Sequence, residues 1–181
     1  MLDVQQLIAH PPKLHAKAGQ LISDWRLDDA ELRFLDRHLS PGIKTLETGA
    51  GVSTVLFAAR GARHTAVTPD PDQVGRILRW CEQHAIPTND LRFIVARSEY
   101  VLPSLPESNY DLVLLDGRHG FPTPFIDWFY ASAALRRGGG RAEGGIRRYA
   151  GGAGGGRRGV GGGGWVWGGW GGGGRRRYSY V

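Results

Sequence analysis

The residues with the clearest chemical potential are a carboxylate and two glycines in Glu47-Thr48-Gly49-Ala50-Gly51, directly after the short run Thr45-Leu46. Glycine reaches positive φ and leaves no Cβ between the backbone and a ligand. Ser53 or Thr54 then begins a helix, whose free N–H groups can receive a polar or anionic group. This pattern predicts the first strand–turn–helix unit of a Rossmann-like sheet, with a nucleotide-bearing cofactor at the turn.

A second carboxylate follows the most apolar run of the chain. Residues 110–117 predict a buried parallel strand, and Asp116 lies at its carboxyl end. Open α/β sheets bind ligands at that edge, so Asp116 is predicted at the mouth of the site. His119 is a candidate general base, because imidazole titrates near neutrality. The alternative for His119 is a merely exposed loop histidine.

Alternating strands and helices must position these groups. We predict strands at 64–68, 91–96 and 110–117 besides the one before Glu47, and helices at 2–9, 14–25, from 28 to 39, 53–60, after Asp70-Pro71, and 121–135. Cys81 falls on the core face of its helix, and the aromatic residues of the last helix are expected to pack on the sheet. The predicted fold class is α/β: a doubly wound, mainly parallel sheet with helices on both faces. We expect a helical layer at 1–42, the core at 43–139, and a tail at 140–181.

The motif Glu-x-Gly-x-Gly at 47–51, with Asp116-Gly117-Arg118-His119 after the fourth strand, resembles the class I S-adenosylmethionine-dependent methyltransferases that act on small molecules. A dinucleotide fingerprint would need a third glycine where Thr54 stands, which disfavours an NAD-dependent oxidoreductase. The resemblance implies S-adenosylmethionine as cofactor and methyl transfer to a small-molecule acceptor. No residue is predicted to be a metal ligand, and metal dependence stays open.

The resemblance also implies roles for individual residues. The family holds the methionine end of the cofactor with the carboxylate and the glycine turn, and borders the adenine ring with the loop after the third strand. Thr68 stands where the family has an acid for the ribose hydroxyls, and Asp70 could substitute or simply cap the next helix. The expected cofactor contacts are Glu47, Thr48, Gly49, Ala50, Gly51, Ser53, Thr68, Asp70, Ser98 and Asp116, and the expected catalytic residues are Asp116 and His119.

The chain changes composition near Gly138. Residues 138–181 hold 21 of the 29 glycines, eight arginines and a single acid, so this part carries +7 and residues 1–137 carry −1. Such a segment cannot bury enough apolar surface to fold, so we expect disorder and loss of the last strands. Arginines interleaved with tryptophans and tyrosines leave RNA binding as an alternative function of the tail.

A reading-frame shift is a further hypothesis for the tail. Codons for residues 144–149, read one nucleotide later, permit Val-Val-Phe-Asp-Asp-Thr, which looks like a fifth strand with an acidic pair. Sequencing the gene beyond the codon for Leu135 tests this hypothesis. The single cysteine and the lack of a signal-peptide pattern or a membrane-length apolar run predict a cytoplasmic protein. The sequence leaves the oligomeric state open.

Overall fold

The structure, a computed structural model, describes residues 2–106 and 109–136, together with the backbone of the short segments 142–143, 147–148 and 165–168. The strands are β1 His15–Lys17, β2 Gln20–Ile22, β3 Lys44–Thr48, β4 Arg63–Thr68, β5 Leu91–Val95, β6 Leu112–Leu115, β7 Ala142–Glu143, β8 Arg147–Arg148 and β9 Trp165–Gly168. The helices are α1 Val4–Ala9, α2 Asp29–His38, α3 Val52–Ala59, α4 Pro71–Gln83, α5 Ser98–Val101 and α6 Thr123–Ala134, with a 3₁₀ turn at Leu102–Ser104.

The main sheet has the strand order β5-β4-β3-β6-β9, and all of its pairs are parallel. The chain moves outward from β3 to β5 and then crosses back to β6 on the other side of β3. Strand order therefore reverses between β3 and β6, and open α/β sheets bind ligands at such a point. The predicted α/β class with a Rossmann-like parallel sheet is confirmed.

Two apolar clusters pack on the sheet. One contains Leu112 and Leu114 of β6 and joins helices α1 to α4, including Leu35, Phe57 and Ile77. The other contains Leu46, Val113 and Ala131. Neighbouring residues of β6 enter opposite clusters because successive side chains of a strand point to opposite faces. Cys81 is fully buried in the first cluster, which confirms its predicted place in the core.

The N-terminal segment matches its prediction at both ends and differs in the middle. Helix α2 has the expected cap: Glu31 N donates to Asp28 Oδ1 at 2.8 Å, and Asp28 N donates to Glu31 Oε2 at 2.7 Å. The predicted helix over 14–25 is wrong, because β1 and β2 form an antiparallel hairpin there. Its two-residue turn is Ala18-Gly19, with φ of 49° and 79°. Positive φ at both turn residues matches the twist of a hairpin and interrupts a helix.

Three of the four aromatic residues of α6 also depart from the prediction, whereas Tyr130 packs against the second apolar cluster as expected. Phe125 and Phe129 are 66% and 63% exposed, so the expectation that they pack on the sheet is wrong. The buried line of α6 consists instead of Thr123, Asp127 and Ala131. Residues four apart share a helix face, and these small side chains let the helix approach the sheet closely.

The tail contributes one strand to the main sheet. Strand β9 pairs in parallel with β6, from Leu112 opposite Trp165 to Leu115 opposite Gly168. A strand beside β6 was not expected, because the last strands were predicted to be lost. Trp165-Val166-Trp167 is a segment of the tail with high β-propensity, which explains the pairing. Outside β7, β8 and β9, the expected disorder, the RNA-binding alternative and the frame-shift hypothesis concern residues beyond the described part of the chain. Among the described residues, no helix has the length and apolarity needed to cross a membrane.

Candidate functional site

The glycine turn lies at the reversal point of the sheet. Gly49 has φ of 93° and its N–H donates to the carbonyl of Val67 at 2.8 Å. A Cβ on Gly49 would lie 2.8 Å from the carbonyl carbon of Asp116, closer than any real Cβ contact. Asp116 N in turn donates to the carbonyl of Thr48 at 2.9 Å. Glycine at position 49 therefore lets the ends of β3 and β6 come into direct backbone contact.

Gly51 serves a different purpose from the predicted one. Its φ of 171° is extended backbone, so the expected positive φ at this position is wrong. A Cβ there would lie 3.0 Å from Nε2 of His15. Glycine at position 51 therefore leaves room for the imidazole of His15, which packs against the turn.

The first turn of α3 has unused donors. The N–H groups of Val52, Ser53 and Thr54 have no hydrogen-bond acceptor among the described residues, although all three residues are at most 3% exposed. Buried helix ends normally find partners for these groups, and a helix N-terminus attracts anions. Gly51 N, in contrast, donates to Thr54 Oγ1 at 2.9 Å.

Glu47 is fully buried beneath the turn. Its Oε1 accepts from the hydroxyl of Ser53, and its Oε2 accepts from Thr54 Oγ1 at 2.6 Å. Nε2 of the equally buried His64 lies 3.3 Å from Oε2, while Nδ1 of His64 lies 2.7 Å from Thr45 Oγ1. The carboxylate predicted to hold the cofactor thus braces the turn from below.

A cleft of about 690 Å³ opens above the turn. Seven of the predicted site residues line it: Gly49, Ala50, Thr68, Asp70, Ser98, Asp116 and His119. The remaining predicted cofactor residues, Glu47, Thr48, Gly51 and Ser53, are not part of this lining and lie behind it. The lining also holds residues that sequence reasoning missed, above all His15, Trp25 and Gln73.

Among the carboxylates that the structure describes, Asp116 has the most strongly perturbed pKa. Desolvation by burial raises its pKa well above its ordinary value, and the nearby charges of Glu47 and Glu31 raise it further. Among the described residues its side chain has no hydrogen bond or ion pair. An unpaired carboxylate of this kind at the edge of a cleft can bind a cation or accept a proton. The exposed side chain of His119 lies in the same lining, and partial desolvation lowers its pKa.

The predicted residues of the neighbouring strands already have protein partners. Asp70 accepts from Gln73 N at 3.0 Å as the cap of α4 and pairs with Arg76 at 3.0 Å, which confirms the capping alternative. Thr68 donates to Gln73 Oε1 at 3.1 Å. The Ser98 hydroxyl donates to the buried Asp127 at 3.0 Å. Burial raises the pKa of Asp127, against the opposing hydrogen bond from Ser98.

Gln73 connects three parts of the cleft. Its Nε2 donates to the carbonyl of Ala50 at 2.8 Å and lies 2.9 Å from Nδ1 of His15. The spacing Asp70-x-x-Gln73 is a capping-box pattern and could have singled out Gln73. His15 could have been found only by recognising the hairpin turn at Ala18-Gly19.

Comparison with known proteins agrees with this fold and identifies a family. A search of curated protein sequences finds no significant match. Solved structures share the fold: the YcgJ protein of Bacillus subtilis is 15% identical with a TM-score of 0.50, over 62% of this chain and 49% of that one. Precorrin 8W decarboxylase of Methanobacterium thermoautotrophicum is 15% identical with a TM-score of 0.50, over 64% and 62%. An rRNA methylase of Streptococcus thermophilus is 17% identical with a TM-score of 0.48, over 60% and 64%.

The chain thus spans between about half and two thirds of the length of these solved proteins. A family model described as a methyltransferase domain matches residues 46–140, from the glycine turn through α6. That match covers more than half of the sequence. The chain therefore belongs to the methyltransferase domain family, of the class I S-adenosylmethionine-dependent type.

Proposed function

We propose that this protein transfers a methyl group from S-adenosylmethionine to a small-molecule acceptor in the cleft above the glycine turn. The observation that carries the proposal is the close packing of Gly49 on the backbone of Asp116. It brings the unpaired carboxylate of Asp116 to the cleft, beside the glycine turn that precedes α3.

The residues present fit this cofactor. The amino-acid end of S-adenosylmethionine carries an ammonium and a carboxylate beside the sulfonium. Asp116 offers a carboxylate without a protein partner, which suits a cationic group. The three N–H groups of Val52, Ser53 and Thr54 suit an anionic one. The cleft volume of about 690 Å³ lies in the range of sites for small organic ligands.

The protein's own contribution is alignment and proton removal. The cofactor supplies an electrophilic methyl group; the methyl–sulfur bond breaks as the bond to the acceptor's nucleophilic atom forms. Holding both partners in line within the cleft supplies much of the rate. The acceptor loses a proton, and Asp116 and His119 are the candidate groups in the lining to take it. The lowered pKa of His119 keeps its imidazole unprotonated at neutral pH.

The charge of the lining supports a small molecule over a nucleic acid. The cleft is lined by five carboxylates and only three arginines: Asp28, Glu31, Asp70, Glu99 and Asp116 against Arg26, Arg97 and Arg118. Nucleic-acid sites are positively charged because phosphate contacts dominate their affinity. An acidic cleft repels such a backbone.

Isothermal titration with S-adenosylmethionine and NAD tests the cofactor. We expect binding of the former alone, and binding of NAD alone would overturn the proposal. Methyl transfer from radiolabelled cofactor to pooled small metabolites and to total RNA tests the acceptor. Label in RNA that persists after deletion of residues 140–181 would contradict the small-molecule assignment.

The pH dependence of kcat/KM tests the base. If His119 accepts the proton, the rate rises with pH through an apparent pKa below 6.5, the ordinary value for histidine. We expect His119→Ala to remove this rise and to slow transfer roughly 100-fold, a usual contribution of a general base. An unchanged profile in His119→Ala would assign the proton to Asp116 instead.

A further inference from the structure

The imidazole of His15 has a determined tautomer. The amide of Gln73 is oriented by Thr68 Oγ1, which donates to its Oε1, and by the carbonyl of Ala50, which accepts from its Nε2. The second hydrogen on Nε2 therefore points to Nδ1 of His15 at 2.9 Å. Because Nδ1 accepts this bond, the ring proton resides on Nε2.

The neutral form of His15 is favoured by its surroundings. Desolvation by burial lowers its pKa most, followed by the charge of Arg76, while Glu47 and Asp70 oppose this shift. Both acids are already engaged, Glu47 by two hydroxyls and His64 and Asp70 by Arg76. His15 is thus a neutral N–H donor with a fixed direction.

That donor lacks an acceptor. Nε2 of His15 is shielded from solvent and has no hydrogen-bond partner among the described residues. It lies over Gly51, the residue that precedes the first turn of α3. Buried N–H donors without acceptors are uncommon and costly in native proteins. His15 Nε2–H and the three backbone N–H groups at the start of α3 are thus four donors near Gly51 that have no acceptor among the described residues.

We infer that His15 is a cofactor-binding residue that donates its Nε2–H to the carboxylate of the methionyl group of S-adenosylmethionine, at the N-terminus of α3. Donors without a nearby acceptor and a helix N-terminus favour an anion over a ribose hydroxyl. This inference rests on the proposed function. It gives the β1–β2 hairpin a direct role in holding the cofactor.

The test compares ligands that differ only in the carboxylate. The full chain, His15→Phe, His15→Gln and the control Gln20→Ala are titrated with S-adenosylmethionine and with decarboxylated S-adenosylmethionine. Gln20 is exposed on the same hairpin and does not line the cleft. We expect His15→Phe to weaken S-adenosylmethionine roughly 10- to 100-fold, as for a hydrogen bond to a charged group. The same variant should bind decarboxylated S-adenosylmethionine with a Kd within about 3-fold of that of the parent protein.

The remaining variants separate the loss of a hydrogen bond to the ligand from a general loss of folded structure. His15→Gln retains an N–H donor and should recover part of the lost affinity, and Gln20→Ala should match the parent protein for both ligands. Equal weakening of both ligands by His15→Phe, or no weakening at all, would overturn the inference while the proposed function stands. If the parent protein bound neither ligand, the proposed function itself would fail at the first titration.

Discussion

At the scale of single residues, Asp116 combines a proposed functional position with an environment that disfavours its charge. Its pKa is raised by burial and by the charges of Glu47 and Glu31, so folding disfavours its ionised form. The folded chain therefore holds this proton more tightly than the unfolded chain does. Stability consequently falls as pH rises from the ordinary value of 3.8 through the raised pKa. A carboxylate in such an environment is a candidate for binding or catalysis.

We predict that Asp116→Asn raises the melting temperature at pH 7 and lowers methyl transfer. The gain in stability should shrink as pH falls, because the parent carboxyl becomes protonated and neutral as well. Melting curves between pH 4 and pH 8 measure this. Asp70→Asn is the matched control with the opposite sign, since Asp70 caps α4 and pairs with Arg76. A lower melting temperature for Asp116→Asn at every pH would contradict the pKa argument.

At the scale of elements, the junction of β3 with β6 depends on the missing side chain at Gly49. We predict that Gly49→Ala destabilises the fold by more than the roughly 1–2 kcal/mol of left-handed strain, because the new Cβ also collides with the backbone of Asp116. Gly42→Ala is the control: its φ of 80° is similar, but nothing lies within 4 Å of the added Cβ. Urea unfolding of both variants separates strain from collision. Equal losses would show that the collision is relieved by local adjustment.

The network beneath the turn is the second element-scale feature. Glu47 joins β3 to α3 through Ser53 and Thr54 and to β4 through His64. We predict that Glu47→Gln costs roughly 1–3 kcal/mol, because an amide cannot accept from all of these donors and leaves buried groups unpaired. Thermal unfolding measures the loss, and Glu99→Gln serves as a control at a carboxylate of the cleft lining outside this network. An unaltered melting temperature for Glu47→Gln would refute the bracing role.

At the scale of the whole molecule, the strands of the main sheet were easier to predict from the sequence than the hairpin and the helix that pack around it. Strands such as Leu112–Leu115 are apolar and bounded by turn residues, so local pattern is sufficient to find them. The hairpin at β1–β2 was missed because its signal is one two-residue turn between short polar strands. The exposed face of α6 was missed because aromatic residues are buried on average. In this helix the smaller side chains of Asp127 and Ala131 are buried instead, and they allow the helix to lie close to the sheet.

The same limit applies to the candidate site. Gly49 and Asp116 were predicted because strand ends have a defined place in this fold. The use of Glu47 within the protein depends on His64, 17 residues away along the chain, and on the hydroxyls of α3. His15 and Gln73 meet across 58 residues. Such pairings come from tertiary packing and leave no periodic trace in the sequence.

Cys81 offers a measure of how the molecule unfolds, because it is the only cysteine of the chain. Burial raises the pKa of its thiol to about 11, and the side chain is inaccessible in the core cluster beside Ile77. Thiol reagents attack the thiolate, so we predict that the native protein is unreactive at pH 8 and is labelled only upon unfolding. The rate of labelling then reports the unfolding equilibrium.

This readout also tests whether the proposed cofactor cleft and the core unfold as one unit. A ligand that binds only the folded state stabilises it in proportion to its saturation, so S-adenosylmethionine at 100 times its Kd should slow the labelling of Cys81 about 100-fold. Cys81 does not line the cleft, and the ligand therefore cannot protect it by contact. A rate that is independent of cofactor would mean that α4 opens locally while the glycine turn stays folded. Slowing in proportion to saturation would instead show that the sheet, the turn and the helix layer are one cooperative structure.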